Sequence, residues 1–250
     1  EMIDMRVSTI PTSFGEKVVL RLMRSDFDQL KFADLGLPKQ IEAPLETILN
    51  SHSKLLLVTG PTGSGKTTTL YTAINYLRDG KKNITTVEDP IEFKFEGVNQ
   101  IQLNRAIDVT FASALRSILR QDPDIIMIGE IRDAETINIA MQAALTGHLV
   151  LSTLHTNDAP NAITRIQNLG ADPFVVSQCL AGVLAQRLVR KICTNCSQSL
   201  SSVDLDAYKP YLDAYSIDSK LLTKATGCDK CFHTGYKGRI GVYSYLDITP

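Results

Sequence analysis

The chain has 250 residues, of which 44% are hydrophobic and 21% charged, and its 26 basic side chains nearly balance 27 acidic ones. That balance excludes a disordered tail, which is poorer in apolar residues, and argues against a dedicated nucleic-acid binder, which carries a strongly basic face. Its apolar runs fall well short of the roughly 20 residues that a bilayer-spanning helix needs, and residues 1–12 lack the apolar stretch of a signal peptide.

In chain order, two β-rich segments come first, at 6–10 and 17–23, around a turn of Thr12, Ser13, Gly15 and Glu16. An isolated hairpin is marginal in water, so residues 1–25 are expected to end a domain that begins upstream. A polar, Asp-rich linker is expected over 26–36. From residue 37 the pattern alternates, with a helix over 38–50 and strands at 55–59, 83–87, 125–128 and 149–153. Phe111, Leu115, Ile118 and Leu119 recur at i, i+4, i+7, i+8, which predicts an amphipathic helix. Val176, Leu180, Val183 and Leu184 repeat that spacing after Asp172-Pro173, so a second helix is predicted from there through Leu184. Short all-apolar strands alternating with helices predict an α/β fold, a parallel sheet covered on both faces, over 37–190. Residues 191–237 break the rhythm, and 238–250 turn strand-like again, as the start of a C-terminal segment.

Gly60-Pro61-Thr62-Gly63-Ser64-Gly65-Lys66-Thr67 follows the 55–59 strand and opens a helix through Thr68. This is the phosphate-binding pattern G-x-x-x-x-G-K-[ST] in its required strand-to-helix setting. Its glycines turn backbone N–H groups inward onto an anion, and the helix N-terminus adds a positive dipole end. Lys66 is expected on the β- and γ-phosphates, and Thr67 on Mg²⁺.

A bound triphosphate also needs a metal anchor and a group to position water. Glu88-Asp89-Pro90-Ile91-Glu92 follows one core strand and Glu130 follows another, across Gly129. The stretch 125–130 resembles the acidic metal-binding strand of such enzymes, with Gly129 where many of them keep an aspartate. Asp133 reads equally well as a helix cap. His155, at the carboxyl end of the 149–153 strand, is a candidate γ-phosphate sensor; His148 precedes that strand and reads as structural. Arg6 and Arg21 are either surface charge on the ribbon or groups that stabilise charge at the phosphate.

Four of the five cysteines form two C-x-x-C pairs, Cys193/Cys196 and Cys228/Cys231. Two such pairs complete a tetrahedral S₄ shell, with Zn²⁺ the default ion and an iron–sulfur cluster the alternative. A closed four-ligand site has no open position, so the metal would be structural. Cys179 stands alone in an apolar stretch and reads as core.

Together these motifs resemble the ATPases of type II secretion and type IV pilus assembly, within the wider secretion ATPase superfamily. Arg6–Thr9 and Gly15–Arg21 resemble the end of that family's second N-terminal (N2) domain. Residues 60–67 resemble its Walker A loop, 86–92 its Asp box, 128–133 its Walker B segment, and 146–156 its His box. The run 184–190, leading into the cysteine pairs, resembles the metal-binding subdomain of the assembly and export members, which retraction motors generally lack. The resemblance implies a RecA-like P-loop core at 37–190, a zinc subdomain at 191–237 and an N2-like remnant at 1–25. It implies ATP, Mg²⁺ and Zn²⁺ as cofactors, and Glu92 as the catalytic glutamate that polarises water. It puts Glu130 on Mg²⁺, and Arg6 and Arg21 on the nucleotide as the N-terminal domain closes. It further implies a cytoplasmic hexamer, docked on an inner-membrane platform protein and so only peripherally associated with the membrane. That hexamer would power pilin or pseudopilin assembly without binding nucleic acid. Two other readings stay open: a nucleic-acid motor on the same core, and a non-hydrolysing nucleotide-binding zinc module.

Overall fold

The computed structural model describes residues 5–22, 27–201 and 205–248. The chain divides into two compact units, Glu1–Arg187 with Gly241–Pro250, and Leu188–Ile240. In the first, strands β1 (Met5–Thr12) and β2 (Gly15–Leu22) form an antiparallel ribbon. Met23, Ser25 and Asp26 lie outside the described residues.

The main sheet has seven strands. In chain order they are β3 (Lys54–Thr59), β4 (Ile84–Glu88), β5 (Asn99–Gln102), β6 (Ile125–Ile128), β7 (Leu149–Leu154), β8 (Leu180–Ile192) and β11 (Tyr236–Asp247). Across the sheet they run β11-β8-β3-β7-β6-β4-β5. The ladders from β8 to β5 are all parallel. This is the expected α/β sheet, and its all-apolar strands are buried because helices cover both faces.

Alternation along each strand sends successive side chains to opposite faces. Leu55 and Leu57 of β3, Ile126 and Ile128 of β6, and Val150 and Leu154 of β7 point into one core. That core is filled from α4 (Phe111–Ile118), α5 (Ala134–Leu145), α6 (Ala159–Asn168) and α7 (Pro173–Cys179). Leu56 and Val58, Ile125 and Met127, and Leu149 and Leu151 point into the other. There they meet α2 (Lys39–Leu49) and α3 (Lys66–Leu77).

Two expectations are corrected. The helix predicted through Leu184 stops at Cys179, and Leu180 begins β8, paired parallel to β3. The stretch is buried on both faces, so every position is apolar and a helical spacing can be picked out of it by chance. Gly182, a poor helix former, sits where a Cβ would meet the Tyr245 hydroxyl at 2.7 Å and Ile48 Cδ1 at 3.1 Å. The linker expected over 26–36 is not free where it is described, from residue 27 on. Phe27 and Leu30, with Phe32 in the short helix α1 (Phe32–Leu35), are buried in the core beside α3. Asn75 of α3 also donates to the carbonyls of Asp28 and Leu30, at 2.9 and 3.2 Å. Apolar residues spaced among aspartates hid that anchoring.

The second unit contains a two-strand ribbon, β9 (Ser197–Ser199) with β10 (Thr223–Ala225), and a short helix, Lys209–Tyr215. Among its described residues only Cys193, Cys231 and Gly235 are buried. No helix among the described residues is long and apolar enough to cross a membrane.

Candidate nucleotide and metal sites

Beyond the carboxyl ends of the parallel strands the predicted motifs meet, where ligands bind in open α/β sheets. The loop after β3 turns through left-handed glycines at Gly63 and Gly65, and α3 begins at Lys66. Gly60 admits no side chain, because a Cβ there would collide with the Gln186 carbonyl and the Ser64 hydroxyl. Lys66 Nζ donates to the carbonyls of Gly60 and Pro61 at 2.7 and 3.1 Å, so its ammonium is held over the loop. Burial pulls Lys66 below the usual lysine range, and the nearby Glu130 charge works against that. Thr67 and Thr68 are half-buried in the first turn of α3, while Pro61, Thr62 and Gly63 are exposed.

Glu130 is the acidic centre of this end. Its carboxylate accepts from Arg132 and lies 3.4 Å from His155 Nε2 at the end of β7. Gly129 ahead of it donates to the Val87 carbonyl at 2.8 Å, and a Cβ at Gly129 would stand 3.3 Å from that oxygen. An aspartate there would crowd β4. Asp133 caps α5, accepting from the Thr136 N–H at 2.8 Å. His148 Nδ1 lies 2.8 Å from the Ala143 carbonyl, a structural contact.

Glu92 sits on the loop after β4, where its backbone N–H donates to the Tyr71 hydroxyl at 3.1 Å. Arg6 on β1 reaches the same loop, 3.5 Å from the Ile91 carbonyl, the outer limit of a hydrogen bond. Arg21 is exposed on β2, directly opposite Arg6 in the ladder. The two arginines therefore share one face of the ribbon.

Several groups without a role of their own in the motifs support the site. Gln186 on β8 is buried; its amide donates to the Ser64 carbonyl at 2.8 Å, and its oxygen accepts from Thr69 at 2.8 Å. Thr59 at the end of β3 bonds the Thr156 backbone N–H at 2.9 Å, tying the phosphate loop to the His155 segment. Glu88, 3% exposed, accepts from Thr86, Tyr71 and Gln100. Burial raises its carboxyl above the usual range, and those three donors oppose the rise. A buried glutamine inside an apolar strand is the signal that could have found Gln186.

The four paired cysteines come together as predicted, their sulfurs all within 4.8 Å of one another. Sγ–Sγ distances of 4.0 Å for Cys193–Cys228, and 3.8 Å for both Cys196–Cys231 and Cys228–Cys231, are those of a small tetrahedron. Four 2.3 Å zinc–sulfur arms at tetrahedral angles put sulfurs about 3.8 Å apart. An iron–sulfur cluster spreads its thiolates wider. N–H groups of Asn195, Cys228 and Gly235 point at the sulfurs from 3.2–3.3 Å. Burial resists ionisation of Cys231, but the amides of Cys228 and Gly235 outweigh it and draw that thiol down to about 6. Cys179 is buried apart from the cluster, its thiol pushed up to about 11 by burial.

Residues 1–250 match the family model described as type II/IV secretion system protein. Type II secretion system protein E of Dickeya dadantii is 50% identical over 244 residues, covering 98% of this chain and 48% of that protein. The type IV pilus assembly ATPase TfpB of Acinetobacter baylyi is 48% identical over 246 residues, with 98% and 42% covered. The crystal structure of the pilus retraction motor PilT with bound ADP superposes with a TM-score of 0.64 at 32% identity, over 85% of this chain and 69% of that one. The chain spans about half the length of these curated relatives.

Proposed function

Since the chain belongs to the type II/IV secretion system protein family, we propose that it is the ATP-hydrolysing part of a motor that assembles pilin or pseudopilin filaments. The systems it would serve are type IV pilus biogenesis, type II secretion or DNA uptake. One observation carries the reading: Glu130 stands 3.4 Å from His155 and near enough to Lys66 for their charges to interact, beyond the ends of β3, β6 and β7, three neighbouring strands. Residues 37–190 are then a RecA-like P-loop domain, 191–237 a zinc subdomain, and 1–25 the end of an N2-like domain.

In this reading the backbone of 60–67 wraps the phosphates, with Thr68 beside it, and Lys66 leaves its loop carbonyls for the β- and γ-phosphate oxygens. Thr67 and Glu130 would hold Mg²⁺, which when bound would supply charge neutralisation at the phosphates. Glu92 orients and polarises the attacking water. His155, beside Glu130, reports the γ-phosphate. Arg6 and Arg21 bring positive charge to the nucleotide from the ribbon, so their approach and withdrawal couple hydrolysis to movement. Cys193, Cys196, Cys228 and Cys231 hold a structural Zn²⁺. The working form is a cytoplasmic hexamer that meets the inner membrane through a platform protein. The balanced charge disfavours a nucleic-acid track.

The test is phosphate release from Mg·ATP across a range of protein concentrations, with Lys66→Ala alongside, in the full-length protein. The expected result is turnover that rises faster than linearly with concentration and drops roughly 1,000-fold or more in the variant. Binding of ATP without turnover by the wild type sinks the hydrolytic reading and favours the non-hydrolysing one.

A further inference from the structure

Glu92 is carried on a loop, and a loop is a poor platform for a group that must hold water to within fractions of an ångström. The loop is nevertheless pinned at two points. The Tyr71 hydroxyl, from the fully buried Tyr71 of α3, accepts the Glu92 backbone N–H at 3.1 Å and donates its own proton to Glu88. Gln100 on β5 accepts the Phe95 N–H at 2.7 Å, while its amide donates to the Phe93 carbonyl at 2.9 Å and to Glu88 at 3.1 Å. Both pins end on one carboxylate, Glu88, at the last position of β4. Its remaining partner is the Thr86 hydroxyl at 2.5 Å.

We propose that Tyr71 and Gln100, anchored together on Glu88, are positioning residues that set where the Glu92 carboxylate stands. The inference rests on the reading of Glu92 as the water-polarising group. Tyr71 adds a second consequence. It lies on α3, the helix that opens with Lys66 and Thr67. A shift of that helix when phosphates engage its N-terminus is therefore passed through one hydroxyl to the Glu92 backbone. Lys66 and Glu92 then move as one unit, although 25 residues of chain separate them. A buried carboxylate with three donors has a far more direct use as an anchor than as a metal ligand, since it has little acceptor capacity left.

The experiment compares full-length wild type, Tyr71→Phe, Gln100→Met and Glu92→Gln, reading single-turnover hydrolysis, equilibrium ATP affinity and melting temperature. Tyr71→Phe and Gln100→Met each remove one pin with little change in volume. The expected result is a hydrolysis rate lowered roughly 10- to 100-fold in both, as small misplacements of catalytic groups produce, with ATP affinity within about twofold of wild type. Glu92→Gln should be slower still. Rates within twofold of wild type in both pin variants, while Glu92→Gln is inactive, overturn the positioning role and leave the reading of Glu92 intact. Rate, affinity and melting temperature falling in step also overturn it, because the pins would then be ordinary scaffolding. Wild-type hydrolysis by Glu92→Gln removes the reading of Glu92, and the positioning proposal with it.

Discussion

Between β3 and β7, leucines, isoleucines and valines pack into cores on both faces of the sheet. From Leu188 to Ile240 the described residues bury only two cysteines and one glycine. Each fully buried aliphatic side chain contributes about 1.5–3 kcal/mol, so the sheet has many independent supports. The tetracysteine unit has almost none among its described residues, and on the proposed reading its order comes from a metal held by its four sulfurs. The two regions should therefore fail differently: the sheet gradually, by single substitutions, and the cysteine unit all at once.

The largest effect should follow removal of the metal. Structural zinc in small peptides binds with about 10–16 kcal/mol of apparent free energy, which is also their folding energy. Purified protein should carry close to one zinc per chain by elemental analysis. Chelation, or Cys231→Ser, should speed proteolytic cutting within 188–240 by about tenfold or more, with the sheet still melting cooperatively. Unchanged protection in metal-free protein would show that the cysteine unit has a support other than metal.

The phosphate loop should respond in the graded way. Gln186→Ala strips a buried partner from the Ser64 carbonyl and from the Thr69 hydroxyl. Unsatisfied buried groups cost about 1–3 kcal/mol each. ATP affinity should fall by roughly tenfold and the melting temperature by several degrees, while cutting within 188–240 stays at the wild-type rate. A variant that binds ATP normally would mean that the loop keeps its shape without this brace. Gly182→Ala is a smaller perturbation. Its new methyl must displace the Tyr245 ring and Ile48, at about 1–3 kcal/mol, with no direct route to the nucleotide. Thermal denaturation alongside ATP titration separates the two sites.

How far the sequence revealed all this depended on locality. The strand–loop–helix turn at 60–67 was legible because the phosphate-binding pattern sets glycines, a lysine and a threonine at fixed spacing between a strand and a helix. The cysteine cluster was legible because two matched C-x-x-C pairs have few other uses. The fold class followed from apolar strands at regular intervals. Leu180–Leu184 was misread because a strand segment buried on both faces has no period-two signature to set against a helical one. Phe27, Leu30 and Phe32 were missed because their partners on α3 lie far along the chain. Tyr71 and Gln100 had no motif at all, and the run that contains Gln186 pointed to the cysteine pairs rather than to the 60–67 loop. Their roles exist only through partners that the fold brings to them, and no local spacing encodes such a meeting.

Glu88 offers the finest test of how the sheet tolerates a charge. Its carboxyl is buried at the last residue of β4, and burial raises its pKa in the folded chain. The protonated form is then favoured by folding. Its contribution to stability is complete below the ordinary glutamate pKa and is lost as pH rises through the raised folded value. Glu88→Gln cannot ionise, so the variant should gain stability relative to wild type as pH rises across that window. At the acidic end the two proteins should differ only by whatever the altered Tyr71 contact costs. Denaturant titrations of both proteins from about pH 4 to pH 8 measure this, because titrations common to the two cancel in the difference. A difference independent of pH would mean that the donors from Thr86, Tyr71 and Gln100 fully offset burial and keep Glu88 ionised. The site would then hold a fixed negative charge beneath the Glu92 loop. That charge would repel a second carboxylate above it, and the pins at Tyr71 and Gln100 would be holding Glu92 in place against that repulsion.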